Sequence, residues 1–123
     1  KNMWNQVEGR LNLYRQVAAS NGCDCEEIAT FLAKNTSVTD VNLGSNGIKD
    51  QGVQALAAML KANSTLLELH LWGNLIENLG AIALSEALKV NKTLQVLNLG
   101  GNRIGEEGMH SLIEALEFNR TLK

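Results

Sequence analysis

The sequence predicts an α/β solenoid of stacked strand–helix units, and three observations predict it. One pattern recurs every 28 residues, three times over, without an insertion. Inside each copy the apolar spacing changes from that of a short half-buried strand to the i, i+1, i+4, i+5 stripe of a helix. Asparagine and glycine fall at fixed places between the two, where the chain must turn.

The first copy reads Val38-x-x-Val41-x-Leu43-x-x-Asn46-x-Ile48, then Gly52, Ala55-Leu56, Met59-Leu60, Asn63 and Thr65. The second has Leu66, Leu69, Leu71, Asn74 and Ile76, then Gly80, Ala83-Leu84, Ala87-Leu88, Asn91 and Thr93. The third has Leu94, Leu97, Leu99, Asn102 and Ile104, then Gly108, Leu112, Ala115-Leu116, Asn119 and Thr121. The strand leucines bury beneath a sheet, and Asn46, Asn74 and Asn102 are placed to bond the backbone as it leaves the strand. Asn63, Asn91 and Asn119 stand at the helix exits, where we expect the left-handed conformation common at helix C-termini. Neither half of a copy buries its apolar face alone, so neighbours must stack.

Full repeats therefore span residues 38–65, 66–93 and 94–121. Ile28, Phe31-Leu32 and Asn35 sit one period before Leu56, Met59-Leu60 and Asn63, so a partial repeat over 23–37 precedes them. Leu122 begins another strand. The repeat region is thus 23–123. Residues 1–22 do not repeat. Met3, Trp4, Val7, Leu11, Tyr14, Val17 and Ala18 fall on one side of a helix that stops at Asn21-Gly22. We expect an N-terminal amphipathic helix there, capping the open end of the array or linking it to something else.

The L-x-x-L-x-L-x-x-N-x-I segments resemble the leucine-rich repeat family, in its 28-residue ribonuclease-inhibitor-like subtype, over roughly residues 23–123. The resemblance implies a right-handed horseshoe with parallel strands on the concave face and helices on the convex face, used mainly to bind other proteins. Relatives of this kind include NOD-like receptors, Ran GTPase-activating proteins, tropomodulins and ribonuclease inhibitor. The last commonly has Cys where this chain has Asn46, Asn74 and Asn102. The regular repeats and the Asn-x-Thr-Leu exits favour a NOD-like receptor-type parent. The same regularity ranks the actin-capping tropomodulin kind lower.

Composition sets limits. The net charge of −2 offers no electrostatic footprint for nucleic acid or anionic membrane. No apolar run approaches the ~20 residues needed to span a bilayer. Cys23-x-Cys25 lacks the partners of a structural zinc site, and a disulfide across one residue would be strained, so two thiols are expected. With no metal motif, nucleophile elbow or phosphate-binding loop, we expect no cofactor and no enzyme. The four sequons at Asn35, Asn63, Asn91 and Asn119 recur once per period, so the helix exit explains them without glycosylation.

Function is sought where the repeat does not dictate the residue. Between the buried strand leucines, side chains face the concave surface and line up in rows across strands ~4.8 Å apart. One row reads Asp40, Glu68, Val96; a second Asn42, His70, Asn98; a third Gly44, Trp72, Gly100. Trp72 stands between two glycines that would leave its ring faces open, and tryptophan is favoured where a partner is gripped. The candidate partner-binding residues are Trp72, His70, Glu68, Asp40, Asn42 and Asn98.

The expected function is a non-catalytic protein–protein interaction module, a piece of a larger cytoplasmic sensor, receptor or scaffold. The alternative is a GTPase regulator resembling the Ran GTPase-activating proteins, for which Arg103 and Lys49 are the basic residues at strand-to-helix turns. The uncovered end of the array is expected to promote end-to-end self-association.

Overall fold

The computed structural model describes residues 6–7, 9–13, 23–119 and 121–122. Five strands and four helices follow in the order β1 (Gln6–Val7), β2 (Arg10–Asn12), α1 (Cys23–Lys34), β3 (Asp40–Asn42), α2 (Asp50–Ala62), β4 (Glu68–His70), α3 (Asn78–Val90), β5 (Val96–Asn98) and α4 (Glu106–Leu116). The strands form one sheet in sequence order, β2 to β5 parallel and β1 antiparallel on the edge of β2. The helices pack only on their neighbours in sequence, α1 on α2, α2 on α3 and α3 on α4. This is the predicted solenoid.

The core lies between sheet and helices, where the pattern places it. Leu11, Leu13, Val41, Leu43, Leu69 and Leu71 reach it from the strands and are almost completely buried. Ile28, Leu32, Leu56, Leu60, Leu84 and Leu88 meet them from the helices. Burying one such side chain contributes about 2 kcal/mol, and each repeat shares its contribution with the next. Cys25 is fully buried and abuts Gly52; it fills the place held by Val53 and Ala81 in later repeats.

Buried asparagines hold the repeats together. Asn74 Nδ2 donates to the carbonyls of Leu71 in its own repeat and Leu43 in the previous one, at 2.9 and 3.1 Å. Its Oδ1 accepts the N–H groups of Asn46 and Ile48 across the same junction, at 2.8 and 3.0 Å. Asn46 and Asn102 do the same one period either way, toward Leu13 and Leu71. A second ladder runs along the helix exits. Asn63, Asn91 and Asn119 each donate to the end of the preceding helix, at Leu32, Leu60 and Leu88, at 2.7 to 2.8 Å.

Two expectations are corrected. The helix exits are not left-handed: Asn63 and Asn91 have φ −88° and −70° with ψ near 135°, extended backbone. Asparagine is there because its Oδ1 takes two N–H groups of the following turn while its Nδ2 spans the repeat junction. Those same buried amides leave Asn63, Asn91 and Asn119 no freedom to carry a glycan.

Second, the described part of the helix expected over residues 1–22 is strand. Gln6–Val7 and Arg10–Asn12 form a hairpin that turns at Gly9, whose φ is +82°. β2 then pairs with β3 in a register offset of 30 residues, Arg10 to Asp40 and Asn12 to Asn42. With α1 it makes a further strand–helix unit, so residues 23–37 are the second half of a repeat that begins near Gly9. The backbone groups of the β3 edge, which would otherwise lack partners, favour the strand over a local helical pattern. The rest of the expected helix lies outside the described residues.

Candidate functional site

The parallel register places the predicted rows side by side. Asp40 pairs with Glu68 and Glu68 with Val96; Asn42 pairs with His70 and His70 with Asn98. Strand residues alternate between core and surface, so Val41 and Leu69 are buried while these rows look outward.

Not all six candidates are free to act. Asn42 Oδ1 accepts the N–H of Gly44 at 2.9 Å, and Asn98 does the same for Gly100 at 3.0 Å. Both asparagines close the end of their own strand. In the middle repeat His70 takes that place, and its Nε2 lies 3.1 Å from Glu68 Oε1 instead. Glu68 and His70 are thus joined to each other rather than committed to the backbone at this position.

Trp72 lies against one of its two glycines. A Cβ at Gly44 would fall 2.5 to 2.7 Å from Cε2, Nε1 and Cζ2 of the indole, so the ring covers the Gly44 backbone. At Gly100 the nearest such neighbour is Asn98 Oδ1 at 3.4 Å, and the ring does not reach across. The indole is half-buried. One of its faces is used in the fold, and the side toward β5 borders open glycine backbone.

The structure also adds residues that the sequence reading missed. Arg10 heads the first row, its Nε 3.9 Å from Asp40 Oδ2, and Asn12 heads the second. Arg10, Asn12, Asp40, Asn42 and His70 surround a shallow depression of about 220 Å³ floored by Leu11 and Val41. The signal was present in Leu11-x-Leu13, which repeats Val41-x-Leu43 at 30 residues rather than 28. Two extra residues between Leu13 and Ile28 broke the period and hid it.

The face is suited to contact rather than to chemistry. Its polar groups bond one another or the backbone and point away from the core. Among the described residues no group of three or more His, Cys, Asp or Glu could hold a metal ion. No helix of the described residues is long and apolar enough to cross a membrane.

The profile of the family described as Leucine Rich repeat matches residues 34–57, 62–85 and 90–112, more than half of the chain. The chain belongs to the leucine-rich repeat family. No curated protein matches it. Among solved structures, this leucine-rich repeat chain is similar to leiomodin-1 actin-binding site 2, with 28% identity and a TM-score of 0.86. That match covers 93% of this chain and 66% of the other, so the chain spans slightly less than two thirds of its relative. It also shares the fold of the tropomodulin C-terminal domain of Caenorhabditis elegans, at 13% identity and a TM-score of 0.54, over 88% of this chain and 81% of that one.

Proposed function

We propose that this leucine-rich repeat chain is a non-enzymatic protein-binding module that holds its partner on the concave strand face. Glu68, His70 and the outward side of Trp72 form the centre of the contact, and Arg10 with Asp40 forms one flank. The observation that carries the reading is the break in the second row. Where neighbouring repeats use Asn42 and Asn98 to close the strand end, the middle repeat presents a linked Glu68–His70 pair beside the tryptophan. The fold does not call for that exchange, and contact with a partner accounts for it.

Actin is the first partner to try, because the relative with 28% identity is an actin-binding site. Co-sedimentation with actin filaments and titration of fluorescent actin monomers test this directly. We expect binding that weakens about tenfold in Trp72→Ala and in Glu68→Ala/His70→Ala, as for interface anchors. Actin binding that is unchanged in both variants would move the contact off the concave face. If actin does not bind, affinity capture from cytosolic extract with the same variants tests the wider reading of a sensor or scaffold module. Accelerated GTP hydrolysis that is lost in Arg103→Ala would replace this reading with a GTPase regulator.

A further inference from the structure

The last described helix departs from the repeat along the face that looks outward down the solenoid. In α2 and α3 the residues covered by the next helix are small or compact: Val53 and Ala57, then Ala81 and Ser85, none more than 3% exposed. One period later α4 has Met109 and Ile113, 47% and 58% exposed, followed by Leu116 at 49%. These three recur at i, i+4 and i+7 and form a single ridge. Small side chains let helices approach to the short end of the usual range of roughly 8–10 Å. Met109 and Ile113 are too long for that spacing, so the ridge is not shaped for another regular repeat. Beside it lies a hollow of about 340 Å³ lined by Leu99, Ile104, Met109 and Leu112 among others, large enough for one leucine or aromatic side chain.

Charge changes along with shape. The last turns of α2 and α3 carry Lys61 and Lys89, which suit the negative end of a helix. The last turn of α4 has no basic residue, and Glu117 stands at its C-cap, where a carboxylate is unfavourable. Glu106 and Glu114 are exposed on the same side of the ridge. The result is an apolar ridge and hollow bordered by carboxylates, one of which weakens its own helix until a cation approaches.

We propose that the outward face of α4 is a second docking surface, separate from the concave face, for an amphipathic helix of a partner protein. The helix has an apolar stripe flanked by Lys or Arg. Its stripe packs on Met109, Ile113 and Leu116, one large apolar side chain enters the hollow, and its cations meet Glu106, Glu114 and Glu117. A second copy of this chain fits less well. α4 carries glutamates at both ends and no Lys or Arg, so two copies of it side by side bring like charges together.

The test titrates the full chain with a synthetic helical peptide of about 18 residues, long enough to span α4. The peptide carries a leucine stripe with lysine flanks; a control replaces every lysine with glutamate. Calorimetry measures affinity, and methyl NMR follows Met109 and Ile113. We expect the lysine peptide to bind at least about tenfold more tightly than the control and to shift both methyls. Ile113→Glu should abolish the binding, and Glu117→Lys should weaken it. Far-UV circular dichroism should show both variants folded, since both positions are exposed. Equal affinity for the two peptides, or binding without shifts at Met109 and Ile113, would overturn the proposal. Concentration-dependent shifts of those methyls without peptide would assign the face to a second copy instead.

Discussion

Asn74 shows how much of this molecule rests on single side chains. Its amide satisfies two backbone donors and two or more acceptors on both sides of a repeat junction, and it is 3% exposed. Asn74→Ala strands those groups away from water, and we expect a loss of about 3 kcal/mol, read as the midpoint of denaturant unfolding. Asn102 makes the matching bonds in a half-exposed setting, where water can replace them, so Asn102→Ala should cost only about 1 kcal/mol. The glycines flanking Trp72 give a second contrast. Gly44→Ala drives a methyl into the indole and should cost about 1–3 kcal/mol, whereas Gly100→Ala meets open space and should be close to neutral. Thermal melts of the pair separate a ring lying on Gly44 from one lying between the two glycines. The position of each asparagine was legible in the sequence. Its bonding was not, because spacing gives an address and not the side chain's reach into the neighbouring repeat. The same holds for Trp72, whose row was predicted but whose choice between Gly44 and Gly100 depends on packing.

At the level of elements, the helices take their N-terminal caps from the preceding repeat. The residues at their own N-cap positions, Lys49, Glu77 and Gly105, make no side-chain cap bond. Instead Asp50 Oδ1 accepts the N–H of Glu77 at 2.8 Å, and Asn78 Oδ1 accepts those of Gly105 and Gly108 at 2.8 and 2.9 Å. Gly80 and Gly108 are required because the capping oxygen lies 2.6 and 2.8 Å from where a Cβ would be. Asn78→Ala should therefore destabilise α4, not its own helix, by about 1–2 kcal/mol. Hydrogen exchange that rises in residues 106–116 while 78–90 stays protected is the expected result. Increased exchange in α3 instead would show that Asn78 caps its own helix. The existence of three of the helices could be read from the apolar stripes, but this exchange of caps could not, since it joins residues almost a full period apart. The N-terminal hairpin was misread for a related reason. Leu11 and Leu13 suit a helical stripe and an alternating strand equally well, and only the free edge of β3 decides between them.

For the whole molecule, contacts run from neighbour to neighbour, so stability is a chain of junctions rather than one central core. Leu69 lies between two covered junctions and is fully buried, whereas its equivalent Leu97 is only partly so. Leu69→Ala should cost about 3–4 kcal/mol and Leu97→Ala about half as much, measured by urea unfolding. Equal losses would mean that the α4 end is as firmly held as the middle. The α/β solenoid was legible because every repeat restates the same physical demands. The partner was not, because that grammar is common to receptors, regulators and actin-binding proteins alike, and the informative residues are those that depart from it. The asparagine and aspartate bonds that cross each junction also govern how such a chain can lengthen over evolutionary time. A duplication or deletion of 28 residues returns each donor to an equivalent acceptor, whereas most other lengths strand a buried amide at the seam. Size in this architecture is inherited in whole units, and Leu13 to Ile28, where two residues were gained, is where the chain absorbed an exception.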